Sequence, residues 1–158
     1  SGFSLVDLYT DYGDQYLMVV ATPAEEGPHV PANGEDDLDA LREAVDSFDA
    51  VCGERMRYWR ERIVQGLDEG QRTVIWGSGS KGVSFLTTLG LVDEIEYVVD
   101  INPYKHGKFM PGTGQRIIAP EYLVDYQPRT IIIMNPVYLE EIRRDLDRLG
   151  VEAELVTV

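Results

Sequence analysis

A chain of 158 residues, 44% hydrophobic and 27% charged, is globular and long enough to bury a core without staples. One cysteine, Cys52, excludes an intrachain disulfide and suits the reducing cytoplasm, and with His29 and His106 it is too few for a Cys/His zinc site. Fourteen basic against 28 acidic residues, net −14, argue against a nucleic-acid polymer as partner, and the longest aliphatic runs, 17–21 and 131–134, are too short to cross a membrane.

The chain begins Ser1-Gly2-Phe3, without an initiator Met or a signal-peptide pattern, and enters strand-like sequence at once, so we expect a piece cut from a longer protein. Residues 3–10 carry apolar side chains at 3, 5, 6, 8 and 9, residues 15–22 are rich in strand formers, and the turn residues of 11–14 lie between. This predicts a β-hairpin, which in isolation is marginal and has to pack on something. Residues 23–34, rich in Pro and Gly, read as a linker.

From 36 to 67 apolar residues recur at 38, 41, 45, 48, 52, 56, 59, 63 and 67, the spacing of a long amphipathic helix. Asn33 or Asp36 is placed to cap it and Gly70 to end it. The acidic residues 35, 36, 37 and 39 suit a helix start. Glu54, Arg55, Arg57, Glu61 and Arg62 make a solvated face, and Trp59 reads as a packing anchor.

Beyond 70 the pattern alternates. Strands are expected at 73–76, 95–100, 116–119, 130–134 and 153–158, and helices at 81–90, 120–126 and 137–149, the last ended by Gly150. Strands apolar on both faces and separated by helices predict an α/β domain. Its core is a Rossmann-like, doubly wound parallel sheet of about five strands, after the long helix and the N-terminal β-hairpin. The expected division is 1–22 hairpin, 23–34 linker, 35–158 Rossmann-like domain.

Three segments carry possible chemistry. Gly77-Ser78-Gly79-Ser80-Lys81-Gly82 matches G-x-G-x-x-G between a strand and a helix, and Asp100 ends the next strand 18 residues after Gly82. The first glycine allows the tight turn, the second a close ligand, and the third close packing. The helix start offers N–H groups to an anion, Lys81 a cation, and Asp100 an acceptor for a ribose hydroxyl. Glycine at such a turn also serves the fold alone, so both readings stand. There is no Walker loop.

The second segment runs from Asp100 through Asn102, Pro103, Tyr104, Lys105, His106 and Lys108 to Gly114, past a strand's carboxyl end, where open α/β sheets bind ligands. His106 is of the type that moves protons, yet no nucleophile or carboxylate partner is identifiable beside it. The third segment, Met134-Asn135-Pro136-Val137-Tyr138, follows another strand on the same edge. Asn135 is either a helix cap or a substrate-orienting amide. Residues 1–70 carry net −11 and residues 71–158 net −3, which leaves room for a small anionic ligand in the second part. No catalytic triad, carboxylate pair or metal cluster emerges.

Together the ordered motifs resemble the C-terminal domain of the sugar C-methyltransferase family. The residues that carry the resemblance are Trp76-Gly77 through Lys81-Gly82, Asp100-Ile-Asn-Pro-Tyr-Lys105-His-Gly107, Pro111-Gly-Thr113, and Asn135 with Glu141-Ile142, spanning roughly 36–158. Residues 3–22 are similar to the closing hairpin of a class I S-adenosylmethionine-dependent methyltransferase domain. The resemblance implies a parent protein with a zinc-binding segment, an upstream methyl-donor domain using S-adenosylmethionine, and this domain, with a nucleotide-sugar or related anionic substrate between the last two. It implies no catalytic residue, cofactor or metal in this chain. The implied substrate contacts are Gly77, Ser78, Gly79, Ser80, Lys81, Gly82, Asp100, Asn102, Tyr104, Lys105, His106, Asn135 and Tyr138. Met134 stands where the family tends to have Trp, and Pro136 follows Asn135, which suggests a divergent branch. Substrate recognition within a methyltransferase is therefore the first expectation. The competing classes are an NAD-type domain of an oxidoreductase or regulator, and a module for homo-oligomer formation through the 36–67 helix.

Overall fold

The β-branched runs of the second part form a five-stranded parallel sheet in the computed structural model, which describes residues 2–24 and 38–158. Residues 25–34 of the expected linker, His29, the candidate caps Asn33 and Asp36, and the acidic residues 35–37 lie outside the described residues. Contacts divide the chain into two units that part between Cys52 and Gly53, within one helix.

In the first unit, β1 (Phe3–Asp11) and β2 (Tyr16–Pro23) pair antiparallel as a two-stranded sheet. A bulge at Val6, between the pairs Leu5–Ala21 and Asp7–Val20, brings Leu8 into phase with Phe3 and Leu5. This accounts for the irregular apolar spacing of that run. The turn is closed by the Thr10 hydroxyl, which donates to Asp14 at 2.5 Å. The helix α1 (Leu38–Asp68) starts in this unit, where Leu38, Leu41, Val45, Phe48 and Val51 are all more than half exposed.

In the second unit the middle of the same helical stripe is covered, while Leu67 at its end is exposed. Trp59 and Ile63 are buried with Met56 beside them, and the Trp59 ring meets Phe85 edge-on at 5.6 Å. Arg62, expected on a purely solvated face, instead donates to Glu154 at 2.7 Å and to the Tyr58 hydroxyl at 2.8 Å, tying α1 to the last strand. The helix ends at Gly70 as expected. The Gly70 N–H bonds the Leu67 carbonyl (2.9 Å) and the Gln71 N–H the Gly66 carbonyl (2.8 Å), a Schellman closure that needs the left-handed backbone of Gly70 (φ 73°).

The sheet contains β3 (Thr73–Trp76), β4 (Tyr97–Val99), β5 (Arg116–Ile118), β6 (Thr130–Ile133) and β7 (Glu154–Thr157), ordered β5-β4-β3-β6-β7. The chain enters at the centre, steps outward twice, then returns to the far side of β3. The crossovers carry α2 (Ser80–Leu89), the one-turn α3 (Leu123–Tyr126) and α4 (Leu139–Leu149). Side-chain alternation sorts the core into two layers. Ile75, Val98, Ile117 and Ile132 meet α1 and α2 on one face, and Val74, Trp76, Val99, Ile118, Ile131 and Ile133 meet α3 and α4 on the other. The expected helices at 120–126 and 137–149 each open with a short 3-10 turn, Pro120–Tyr122 and Pro136–Tyr138, where the proline takes the first position. Among the described residues no helix is long and apolar enough to cross a membrane.

Candidate functional site

The reversal of strand order places the three sequence segments on one edge. Backbone hydrogen bonds continue one residue past the strands: Gly77 N–H to the Val99 carbonyl (2.8 Å), Asp100 N–H to Ile118 (3.1 Å) and Met134 N–H to Trp76 (3.1 Å). The chains that follow β3, β4 and β6 therefore leave the sheet at the same level, and the order reverses between β3 and β6.

The three glycines of the turn have different causes. Gly77 has φ 119°, and a Cβ there would lie 3.3 Å from the Cβ of Met134. A Cβ on Gly82 would lie 2.3 Å from the Gly77 carbonyl oxygen, so helix and turn approach as closely as they do only without a side chain. Gly79 has an extended backbone at φ −79° and nothing within 4 Å of its would-be Cβ. It starts α2 without a side-chain cap, and Ser80 and Lys81 beside it are exposed.

Asp100 organises the rest. Its Oδ2 accepts from the Ser78 hydroxyl, from the Ser78 N–H at 3.2 Å and from Lys105 Nζ at 2.9 Å, and its Oδ1 accepts from the Asn102 N–H at 2.9 Å. Lys105 Nζ also donates to Ser78 Oγ at 3.1 Å. The residue is only 9% exposed. Burial pushes its carboxyl pKa up, but the hydrogen bonds from Ser78, Asn102 and Lys105, with the Lys105 charge, outweigh that and hold it below the usual carboxylate value. The carboxylate is thus ionised and taken up by the chain's own donors.

The loop after it is equally built. Asn102 Oδ1 accepts from the Tyr104 N–H (3.0 Å), closing the 3-10 turn Pro103–Lys105. His106 Nε2–H donates to the Asp100 carbonyl at 2.7 Å, a bond that fixes its tautomer. Tyr104 is 83% exposed. Two residues not singled out by sequence hold the loop's far end. Met110 is buried in the α2 layer, and buried Gln115 donates to the carbonyls of Leu91 and Val92 (both 3.1 Å) while accepting from Thr113 (2.5 Å). Their signal was faint, a lone amide among glycines, yet Thr113 belongs to the Pro-Gly-Thr motif.

Ser78, Asp100, Asn102, Lys105 and His106 therefore share one network. Gly77 to Gly82 border it through Ser78. Asn135 and Tyr138 lie past the neighbouring strand β6, where Asn135 Oδ1 accepts from the Val137 N–H at 3.4 Å and so caps the turn there. Among the described residues no group of three His, Cys, Asp or Glu is placed to hold a metal ion.

A family model, the C-methyltransferase C-terminal domain, matches residues 34–156. A curated relative, C-methyltransferase NovU of Streptomyces niveus, is 28% identical over an alignment of 150 residues that covers 89% of this chain and 36% of that protein. The chain thus spans about a third of that relative's length. Among solved structures, the UDP-D-quinovosamine 4-dehydrogenase of Vibrio fischeri matches 52% of this chain and 75% of its own at 25% identity and TM-score 0.41. RSP, a Rex-family repressor, matches 60% of this chain and 56% of its own at 17% identity and TM-score 0.44.

Proposed function

The chain belongs to the C-methyltransferase C-terminal domain family, and from that premise we propose that it recognises the anionic part of an activated sugar, such as a nucleotide-linked one. In this reading the parent protein transfers a methyl group from S-adenosylmethionine, held upstream together with a zinc-binding segment. Residues 1–22 are the closing hairpin of that upstream domain. This chain supplies no catalytic group. The contacts are the glycine-rich turn 77–82, the loop 100–107 and the segment 135–138.

The observation that carries the reading is Gly79. The fold accounts for Gly77 and Gly82 through backbone angle and close packing, whereas a side chain at Gly79 would meet nothing of the protein. The space left open there lies at the uncapped start of a ten-residue helix, with Lys81 on its first turn and the Lys105 ammonium beside Ser78. A phosphate suits that space, since the helix start offers N–H groups and partial positive charge.

Calorimetric titration with a panel of nucleotide-linked sugars tests the reading. Replacing Gly79 by Val fills the approach path and abolishes binding while the melting temperature stays close to that of the native chain. Replacing Lys105 by Ala weakens binding by about tenfold, the worth of one charge-assisted contact. The loss is larger at low salt, where exposed charges are screened least. Unchanged affinity in both variants would place the ligand elsewhere.

A further inference from the structure

We infer that Ser78 and Lys105 are specificity residues that keep ribose diols off Asp100 and so exclude dinucleotides from a turn otherwise shaped for them. In a sheet of this order, the carboxylate at the end of the strand after the glycine-rich turn is the group that accepts the ribose 2′-hydroxyl of a dinucleotide. A vicinal diol that also donates its 3′-hydroxyl takes up both carboxylate oxygens. A carboxylate offers about four lone-pair positions. Here three donors crowd Oδ2, the Ser78 N–H, the Ser78 hydroxyl and Lys105 Nζ, one more than its two lone pairs, and the Asn102 N–H takes one of the two on Oδ1, so Oδ2 has no place left for a hydroxyl. A diol would have to displace the ammonium, leaving Lys105 without its carboxylate in a half-buried position.

Two backbone donors and two side-chain donors divide the work. The N–H groups of Ser78 and Asn102 come with the turn and the loop whatever the side chains are. The Ser78 hydroxyl and the Lys105 ammonium are the groups this sequence adds, and they also bond each other at 3.1 Å. Replacing both by alanine returns one lone pair of Oδ2 to a ligand, the other staying with the Ser78 N–H, and leaves the glycine pattern, the helix start and Asp100 in place. The inference is independent of which ligand takes the site in the native chain.

The test is a titration of the whole chain with NADH, followed by nicotinamide fluorescence and calorimetry. The native chain gives no saturation in the micromolar range. The double variant Ser78→Ala/Lys105→Ala binds at least about tenfold more tightly, the gain expected from one restored hydrogen bond. Adding Asp100→Ala to the double variant removes the gain, which ties it to the carboxylate. Lys105→Met alone, which keeps the side-chain stem, shifts affinity in the same direction and serves if the double variant melts early. Saturable micromolar NADH binding by the native chain overturns the inference, as does a folded double variant or Lys105→Met that binds NADH no better. Failure of every nucleotide-linked sugar to bind the native chain would instead sink the proposed function and leave this inference standing.

Discussion

Asp100 is held ionised in a buried place, and that has a measurable sign. Its pKa is lower in the folded chain than in the unfolded one, so its contribution to stability is present at neutral pH. That contribution is lost as pH falls below the ordinary carboxylate value of about 4 and through the folded value. Asp100→Asn therefore costs about 1–3 kcal/mol at pH 7, the range for a buried charged hydrogen-bond acceptor. The difference between variant and native chain narrows steadily in urea melts taken from pH 5 downward. A pH-independent difference would mean that shape and not charge sets the cost. The glycines give a second contrast. Gly82→Ala drives a methyl against the Gly77 carbonyl and costs about 1–3 kcal/mol or more, whereas Gly79→Ala, in open space, changes stability by less than about 1 kcal/mol. Thermal melts of the two variants decide it. At this scale the sequence was half legible. The spacing of glycines and the strand-end carboxylate are local signals, but Asp100 reads the same in sequence whether a ribose or Lys105 uses it. Only the fold brings Lys105 and Ser78, 27 residues apart, onto one oxygen.

Elements were legible in order and type because their signals are local: β-branched runs for β3 and β6, a three-four spacing for α1, and Gly70 and Gly150 at helix ends. What the spacing leaves open is which part of a stripe is covered. In α1 the positions 38, 41, 45, 48, 52, 56, 59, 63 and 67 form one continuous pattern, yet Trp59 and Ile63 are buried in the core while 38, 41, 45 and 48 are more than half exposed. Coverage is decided by neighbours distant in sequence, which periodicity does not see. The bulge at Val6 escaped for a similar reason, since it is defined by the register of the partner strand. The two parts of α1 therefore respond differently to truncation. Trp59→Ala empties a site shared with Ile63 and Phe85 and costs about 3–5 kcal/mol. Leu41→Ala and Phe48→Ala, at positions more than half exposed, shift the chain's stability by less than about 0.5 kcal/mol. Denaturant midpoints that fell equally in all three variants would mean that the first part of the helix is covered in solution.

The whole molecule has a sheet order that commonly serves ribose-bearing ligands, a glycine-rich turn in the right place, and a carboxylate already engaged. S-adenosylmethionine carries the same ribose diol as a dinucleotide, so the donors that occupy Asp100 bear on the methyl donor as well. Its sulfonium and amino groups are cationic, and the cations beside the turn, exposed Lys81 and half-buried Lys105, have the wrong sign for them. We therefore expect the 158-residue chain to bind no S-adenosylmethionine at micromolar concentration and to methylate no sugar by itself. Isothermal calorimetry with the donor, alone and in the presence of a nucleotide-linked sugar, measures this directly. A saturable heat in the absence of sugar would assign the donor to this chain and overturn the division of labour. A saturable heat only in its presence would mean that the two ligands share the edge on which 77–82, 100–107 and 135–138 meet.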